Sequence, residues 1–270
     1  MSIQRATSSA RLSEIALLLI CGAGGGAVAT TCNEPTGEEV IQRFVDVTGG
    51  KEAYEKQKTR VSTGTISITG QNVSGAMTIY QKAPNLTRVT GSVAGVTFDR
   101  GFDGKTAFEV HSMFGARLVE GDERELMQQQ ALSNPLANLG TSFTSVENVG
   151  PEPLDDHDAY RVELTMKSGE KLVEWFDVES GLLSRMHMPI DSPMGKLELT
   201  IGMSDWRDVG GVKVPFKTTQ QIEPIGIEQT IEFTKIESNV DIPAEKFELP
   251  EEVQDLIKEA PTTQPVGDRK

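Results

Sequence analysis

The chain has 270 residues, and its 26 Lys and Arg against 40 Asp and Glu give a formal net charge of −14. This charge argues against nucleic acid as a partner, because proteins bind that polyanion through clustered basic residues. It argues in the same way against electrostatic docking on anionic lipid. With 37% hydrophobic and 24% charged residues, the composition is typical of a globular protein rather than a disordered chain.

Residues 1–29 show the three parts of a secretory signal peptide. Arg5 and Arg11 form a basic start, the apolar run IALLLI follows, and Ala27-Val28-Ala29 matches the small-residue cleavage pattern. The alternative is a retained membrane anchor, but the four glycines that follow the apolar run make a poor membrane-spanning helix. We therefore predict export across the inner membrane into the periplasm.

The two cysteines, Cys21 and Cys32, both lie in or near this leader. Cleavage after Ala29 leaves Cys32 alone, so the mature chain can form no internal disulfide. Cys32 is also a candidate for lipidation, although Thr31 fits that processing less well than the Gly or Ala that usually precedes the modified cysteine. A lipid anchor at Cys32 is thus the alternative to a freely soluble periplasmic protein, and the mass of the mature N-terminal peptide distinguishes the two.

An amphipathic helix is predicted over 38–47, after a linker at 30–36. Thr36 and Glu39 have the spacing of a capping box, in which each side chain accepts a hydrogen bond from the other residue's backbone. Gly49-Gly50 follows, and glycine is the usual residue just past a helix end.

From residue 60 the hydrophobic spacing changes from a helical period to strict alternation, as in the stretches LELTIGM and VKVPF. Strands with one apolar and one polar face are typical of antiparallel sheets. Turn signals separate about eleven such strands up to residue 238. One helix is predicted between the strands, at 120–139, where Pro135 bends or ends it. This arrangement predicts an α+β fold. Residues 251–270 are predicted to form a C-terminal tail that begins with a turn or two of helix.

A sheet of this length cannot stay flat, because the twist of its strands curls it. Its apolar face must then be covered, and the predicted helices are short. We therefore expect a half-barrel with an apolar interior that the helices fill only in part.

Several segments resemble the periplasmic lipoprotein-carrier superfamily, which has the LolA/LolB-like fold, and especially its outer-membrane lipoprotein-sorting branch. In chain order these segments lie at 47–68, 78–89, 101–109, 175–186, 204–217 and 235–250. The resemblance implies one domain over 37–250, with a curved antiparallel sheet wrapped around helices. It also implies an apolar cavity that takes acyl chains, and it carries over no catalytic or transfer residue.

No catalytic or metal-binding motif is recognised in the chain. The three histidines, His111, His157 and His187, form none of the short spacings of zinc sites. His157 lies in the acidic run 155–158, which we interpret as a solvated turn. The prediction is therefore a protein that is not an enzyme and has no cofactor. Convergence of this run with a further carboxylate in a pocket would instead favour an enzyme acting on a lipid or glycan.

Methionines are frequent in the strand region, and flexible thioethers suit a surface that accommodates variable apolar ligands. The alternating strands supply ten candidate cavity residues: Met77, Ile79, Phe98, Phe176, Met186, Met188, Leu199, Ile201, Phe216 and Phe233. We predict a monomer that binds an acyl chain or a lipoprotein there. The alternative is an envelope protein-interaction or stress-sensor module of the same fold, with a filled interior and no lipid transfer.

Overall fold

The computed structural model describes residues 34–130, 139–167, 169–192 and 195–259. The predicted signal peptide and Cys32 lie outside the described residues, as do Pro135 and the end of the predicted tail. The described part of the chain forms one unit that starts at Glu34.

The described residues contain thirteen strands in a single sheet. In chain order they are β1 Thr59–Ile68, β2 Val73–Lys82, β3 Leu86–Val93, β4 Val96–Phe102, β5 Ala107–His111, β6 Gly115–Val119, β7 Phe143–Leu154, β8 His157–Met166, β9 Lys171–Asp177, β10 Leu183–Ser192, β11 Gly195–Val209, β12 Val212–Glu223 and β13 Ile227–Ser238. The predicted number of about eleven was too low, because strands of five residues such as β5 and β6 are too short to show a clear alternation.

The sheet is antiparallel throughout and open at both sides. Its order is β6-β5-β4-β3-β2-β1-β13-β12-β11-β10-β9-β8-β7, so β1 lies at the centre and β6 and β7 form the two edges. The segment that joins β6 to β7 therefore connects opposite edges of the sheet. This architecture confirms the predicted α+β fold with one long antiparallel sheet.

Two strand glycines lie where neighbouring strands approach too closely for a side chain. A Cβ at Gly75 would lie 1.6 Å from the carbonyl oxygen of Ser92, and one at Gly64 would lie 2.4 Å from that of Glu232. The pairing of β1 with β13 also shifts register between Thr63 and Gly64. Such glycines and bulges bend a strand, and here they curve the centre of the sheet.

The helices are short and pack on the sheet. They are α1 Gly37–Val47, α2 Lys51–Lys56, α3 Gly121–Gln130, α4 Leu139–Ser142 and α5 Glu251–Glu259, with a 3₁₀ helix at Ala244–Phe247. The described part of the predicted helix at 120–139 thus comprises α3 and the start of α4. In the region predicted as a tail, α5 contacts β5 and β6 and its Val253 is fully buried. No helix among the described residues is long and apolar enough to cross a membrane.

Helix α1 covers one face of the sheet, which is called the inner face below. The capping box is formed, since Thr36 N donates to Glu39 Oε2 at 2.8 Å and Glu39 N donates to Thr36 Oγ1 at 3.2 Å. The apolar side of the helix, with Ile41, Phe44 and Val45, is buried against strands of the β7–β12 half. This half of the sheet therefore holds the largest hydrophobic core.

Hydrogen bonds to a turn and to strand β12 fix α1 to the sheet. The Arg43 guanidinium donates to the carbonyl oxygens of Val178 and Glu179 at 2.8 and 2.7 Å, in the turn after β9. Beyond the end of the helix, Lys213 N donates to the Thr48 carbonyl at 2.7 Å. The helix is therefore a fixed wall above the inner face.

Candidate functional site

A cavity of about 370 Å³ lies on the inner face, between α1 and the β7–β12 half of the sheet. Its volume falls within the range of about 300–1,000 Å³ that is usual for small-molecule sites. Most of its wall is apolar, and it includes Ile41 from α1, Leu164 from β8 and Leu172 from β9. The interior that the sequence predicts to be incompletely filled thus contains a defined cavity.

Strand register brings the cavity side chains together. Met186 on β10 lies opposite Glu174 on β9 and opposite Ile201 on β11. Directly paired residues of antiparallel strands project to the same face of the sheet. These three side chains therefore form one continuous strip of the cavity wall.

Aromatic rings form the part of the wall next to α1. The Phe44 ring centroid lies 5.6 Å from that of Phe176 and 5.8 Å from that of Trp206, which it meets edge to face. Both distances are within the range of favourable aromatic pairs. Phe44 thereby joins α1 to β9 and β11 across the cavity.

Glu174 is a carboxylic acid in this apolar wall. Burial raises the pKa of its carboxyl from 4.5 to about 7, because a carboxylate loses its hydration in an apolar site. Glu174 takes part in none of the ion pairs among the described residues. Below pH 7 it is therefore predominantly neutral and able to donate a hydrogen bond to a ligand.

Arg60 on β1 is the second polar group of the wall. Its Nε donates to Gln81 Oε1 at 2.8 Å, and burial lowers the pKa of its guanidinium. The cavity therefore combines a long apolar surface with two ionisable groups, which suits an apolar ligand that has one polar end.

Four of the ten predicted cavity residues line this cavity, namely Phe176, Met186, Met188 and Ile201. Leu199 and Phe216 lie beside them in the same hydrophobic core. The structure therefore brings six of the predicted residues together in the half of the sheet under α1.

The other four residues lie elsewhere on the sheet. Met77 belongs to a second cluster with Ile66 and Ile231, against which Ile79 and Phe98 pack. Phe233 packs against both clusters. None of these four residues lines the cavity, because they lie on β2, β4 and β13, whereas α1 packs mainly on β7 and β8.

Sequence reasoning missed the polar residues Glu174 and Arg60 and the aromatic residues Phe44 and Trp206. A signal for Glu174 is present in the stretch LVEWF, where the glutamate alternates in phase with Leu172 and Phe176. An acidic residue at an inward position of a strand is a candidate site residue for that reason. The sequence signal for Phe44 is its position on the apolar side of the predicted helix.

The acidic run 155–158 comprises the two-residue turn between β7 and β8 and the first two residues of β8. Asp155 has a φ of 55° there and pairs with Arg185 at 2.8 Å. His157 Nε2 lies 3.1 Å from Ser184 Oγ and 3.8 Å from Asp177 Oδ2. In the described part of the chain, no cluster of His, Cys, Asp and Glu side chains is arranged to hold a metal ion.

The turn between β5 and β6 exposes two large apolar side chains. Met113 and Phe114 are each 68% exposed, and the Phe114 ring stacks on His111 with a centroid distance of 4.8 Å. This turn lies near the edge of the sheet that is opposite β7.

Two solved structures are similar to this chain over most of its length. A LolA superfamily protein from Nitrosomonas europaea matches with a TM-score of 0.54 and 13% identity, over 80% of this chain and 98% of that chain. A DUF1329 family protein from Desulfovibrio piger matches with a TM-score of 0.53 and 15% identity, over 78% of this chain and 96% of that chain. No family model and no curated protein matches the sequence.

These similarities define the architecture as a LolA/LolB-like fold, which confirms the predicted resemblance at the level of the fold. At this identity they do not transfer a ligand or a partner. The function is therefore argued from the cavity itself.

Proposed function

We propose that this chain binds an acyl chain, either free or attached to a lipoprotein, in the inner cavity and does not transform it. The observation that carries the proposal is the cavity of about 370 Å³ with a mainly apolar wall under α1. The LolA/LolB-like fold supports it, since the family resemblance implies an acyl-chain site in the same interior.

The driving force is the removal of the alkyl chain from water. Each buried methylene contributes about 0.8 kcal/mol, so ten contribute about 8 kcal/mol before the cost of ordering the chain. The thioethers of Met186 and Met188 adapt to chains of different shape. Glu174 and Arg60 are available to the polar end of the ligand.

The test is binding of a fluorescent fatty acid to the purified protein. A Trp175→Phe variant leaves Trp206, which lies in the cavity wall, as its only tryptophan. We expect saturable energy transfer from Trp206 to the bound probe, and recovery of the probe unchanged. A protein that carries no lipid by mass spectrometry and gives no saturable signal would refute the proposal.

A matched pair of substitutions locates the site. Ile201→Phe adds volume inside the cavity, whereas Ile79→Phe adds the same volume on the inner face within the second cluster. We expect the first variant to weaken fatty-acid binding at least about tenfold and the second to leave it unchanged. Equal effects of both variants would place the ligand elsewhere.

The proposed location is the periplasm, on the basis of the predicted signal peptide at 1–29. Cell fractionation tests the location, and the alternative of a lipid anchor is tested with Cys32→Ser. A freely soluble protein remains in the soluble periplasmic fraction with or without this substitution. Release from the membrane only in the variant would establish the anchor.

The second candidate function is an envelope module that binds a protein partner. The exposed Met113 and Phe114 favour it, because exposed apolar side chains at a turn are available to a partner. Photo-crosslinking from position 113 in the intact envelope tests this function. A specific crosslinked protein, together with normal fatty-acid binding by a Met113→Ser, Phe114→Ser variant, would show that the two activities are separate.

A further inference from the structure

The outer face of the sheet carries a groove of about 560 Å³ that the proposed lipid site does not use. Trp175 lies in its wall, and it alternates along β9 with Glu174 and Phe176, which line the inner cavity. Successive strand residues project to opposite faces. The groove and the cavity therefore lie on opposite sides of the same strands.

One cross-strand row forms the centre of the groove. Trp175 on β9 pairs with Arg185 on β10, Arg185 pairs with Gly202 on β11, and Gly202 pairs with Thr219 on β12. Gly202 contributes no side chain to this row, which leaves a hollow between its two neighbours. A glycine inside a strand often marks such a site of close approach.

Backbone geometry does not explain the glycine. Gly202 is not among the glycines with a positive φ, so its conformation is open to any residue. A Cβ at this position would meet only the Thr219 hydroxyl, at 2.7 Å. The Thr219 hydroxyl thus lies close above Gly202, and apart from it the space above this position is open.

The ionisable groups of the groove are already paired. Arg185 Nη2 lies 2.8 Å from Asp155 Oδ2. His187 contacts Thr200 Oγ1 through Nδ1 at 3.0 Å and Glu198 Oε2 through Nε2 at 3.2 Å. A charged ligand would have to compete with these partners, whereas an uncharged polar ligand would not.

The polar groups that remain for a ligand are a hydroxyl and an amide, beside one aromatic ring. Thr219 supplies a hydroxyl and Gln221 an amide, whereas the Thr200 hydroxyl is already paired with His187. Trp175 Nε1 donates to Glu152 Oε1 at 2.5 Å, which holds the indole in place. An aromatic surface next to hydrogen-bonding side chains matches a sugar ring, which has an apolar C–H face and a polar rim.

We propose that the outer groove is a binding site for an uncharged oligosaccharide. One sugar ring packs against Trp175, and the next lies above Gly202, on the other side of Arg185. Its hydroxyls bind the side chains of Thr219 and Gln221. The ligand is bound and released unchanged.

The two tryptophans allow this site to be observed alone. The sequence contains only Trp175 and Trp206, so a Trp206→Phe variant reports from the groove and not from the cavity. We would titrate it with chitotetraose and, separately, with maltotetraose. A saturable change in fluorescence with at least one of them, and its recovery at full length, is the expected result.

Gly202→Val in the same background fills the hollow with a residue that is favoured in strands. We expect it to weaken oligosaccharide binding at least about tenfold. Gly202→Val in the parent chain, which keeps Trp206, should bind the fluorescent fatty acid normally, which shows that the fold is intact although the new Cβ displaces the Thr219 hydroxyl. The matched control is Thr230→Val, which lies next to Thr219 in the same row but outside the groove. It should bind like the parent.

Three outcomes would overturn the inference. The first is no saturable change with either sugar up to about 10 mM, where a site with a Kd of 1 mM is close to saturation. The second is unchanged affinity in the Gly202→Val variant. The third is the recovery of shorter fragments, which would make the groove, with its His157 and Ser184 contact, a catalytic site instead.

Discussion

Glu174 on β9 lies directly opposite Met186 on β10, on the sheet face that carries the cavity. A carboxyl group thus shares an apolar wall with a thioether, which is an unfavourable place for a negative charge. This relationship couples the ionisation of Glu174 both to the stability of the fold and to the occupation of the cavity.

We predict that Glu174 makes the protein less stable as the pH rises from about 4.5 to about 7. The pKa of its carboxyl is about 7 in the folded chain and 4.5 as an ordinary glutamate. In that interval the folded state binds more protons than the unfolded state, so the free energy of unfolding falls by up to about 3 kcal/mol. Above pH 7 the penalty is constant.

Urea unfolding of the parent and of Glu174→Gln at several pH values measures this effect. The amide cannot ionise, so the difference between the two profiles isolates Glu174 from carboxyls with lowered pKa, such as Glu163 and Asp177, which act at lower pH. Fatty-acid binding by the parent should also weaken as the pH rises, with its midpoint at the pKa of Glu174. Binding by Glu174→Gln should not show this change. Parallel stability profiles would contradict the prediction.

A second prediction concerns the aromatic wall. Phe44→Leu removes the ring that contacts both Phe176 and Trp206. We expect a loss of about 1–2 kcal/mol in the free energy of unfolding, and a larger cavity that changes the preferred chain length of the ligand. The control Phe114→Leu alters an exposed ring and should change stability by less than about 0.5 kcal/mol. Equal losses would show that Phe44 has no special part in the core.

The fold could be predicted because its signals are local. The capping box at Thr36 and the apolar side of α1 follow from a few neighbouring residues, and strict alternation marks strands such as β11 and β12. The curl of the sheet follows from strand twist. The short strands β5 and β6 could not be distinguished, because five residues contain little periodicity.

The cavity could be predicted only in part, because alternation identifies a face of the sheet but not the region that a helix covers. Met77 and Met186 have the same pattern in the sequence, yet only Met186 lies under α1. That difference depends on contacts between distant residues, such as Arg43 with the turn at Val178. The outer groove depends on the register of four strands and was not predicted.

A third prediction tests the glycine at the sheet centre. Gly75→Ala places a Cβ 1.6 Å from the Ser92 carbonyl oxygen, so β2 and β3 must separate or the chain must bend differently. We expect a loss of at least about 3 kcal/mol in the free energy of unfolding. Gly140→Ala is the control, since its Cβ meets nothing within 4 Å. A stable Gly75→Ala variant would mean that the sheet is less tightly curved at this point.

The last prediction concerns the attachment of the C-terminal segment. Arg88 on β3 donates to both carboxylate oxygens of Asp99, at 2.8 and 2.5 Å, and to the carbonyl oxygens of Lys246 and Glu248, at 3.3 and 2.9 Å. One guanidinium therefore joins two strands to the segment that leads into α5. Its side chain is only 15% exposed, so the ion pair is shielded from solvent.

Arg88→Met should leave the Asp99 carboxylate half-buried without its partner. We expect a loss of about 2–3 kcal/mol, because removing one partner of a shielded ion pair leaves an uncompensated charge. We also expect faster proteolysis between 244 and 259, since the two carbonyl contacts that hold this segment are lost. Lys217→Met removes an exposed pair with Glu232 and should cost less than about 1 kcal/mol. If Arg88→Met destabilises the chain without exposing this segment, the guanidinium acts on the strands alone.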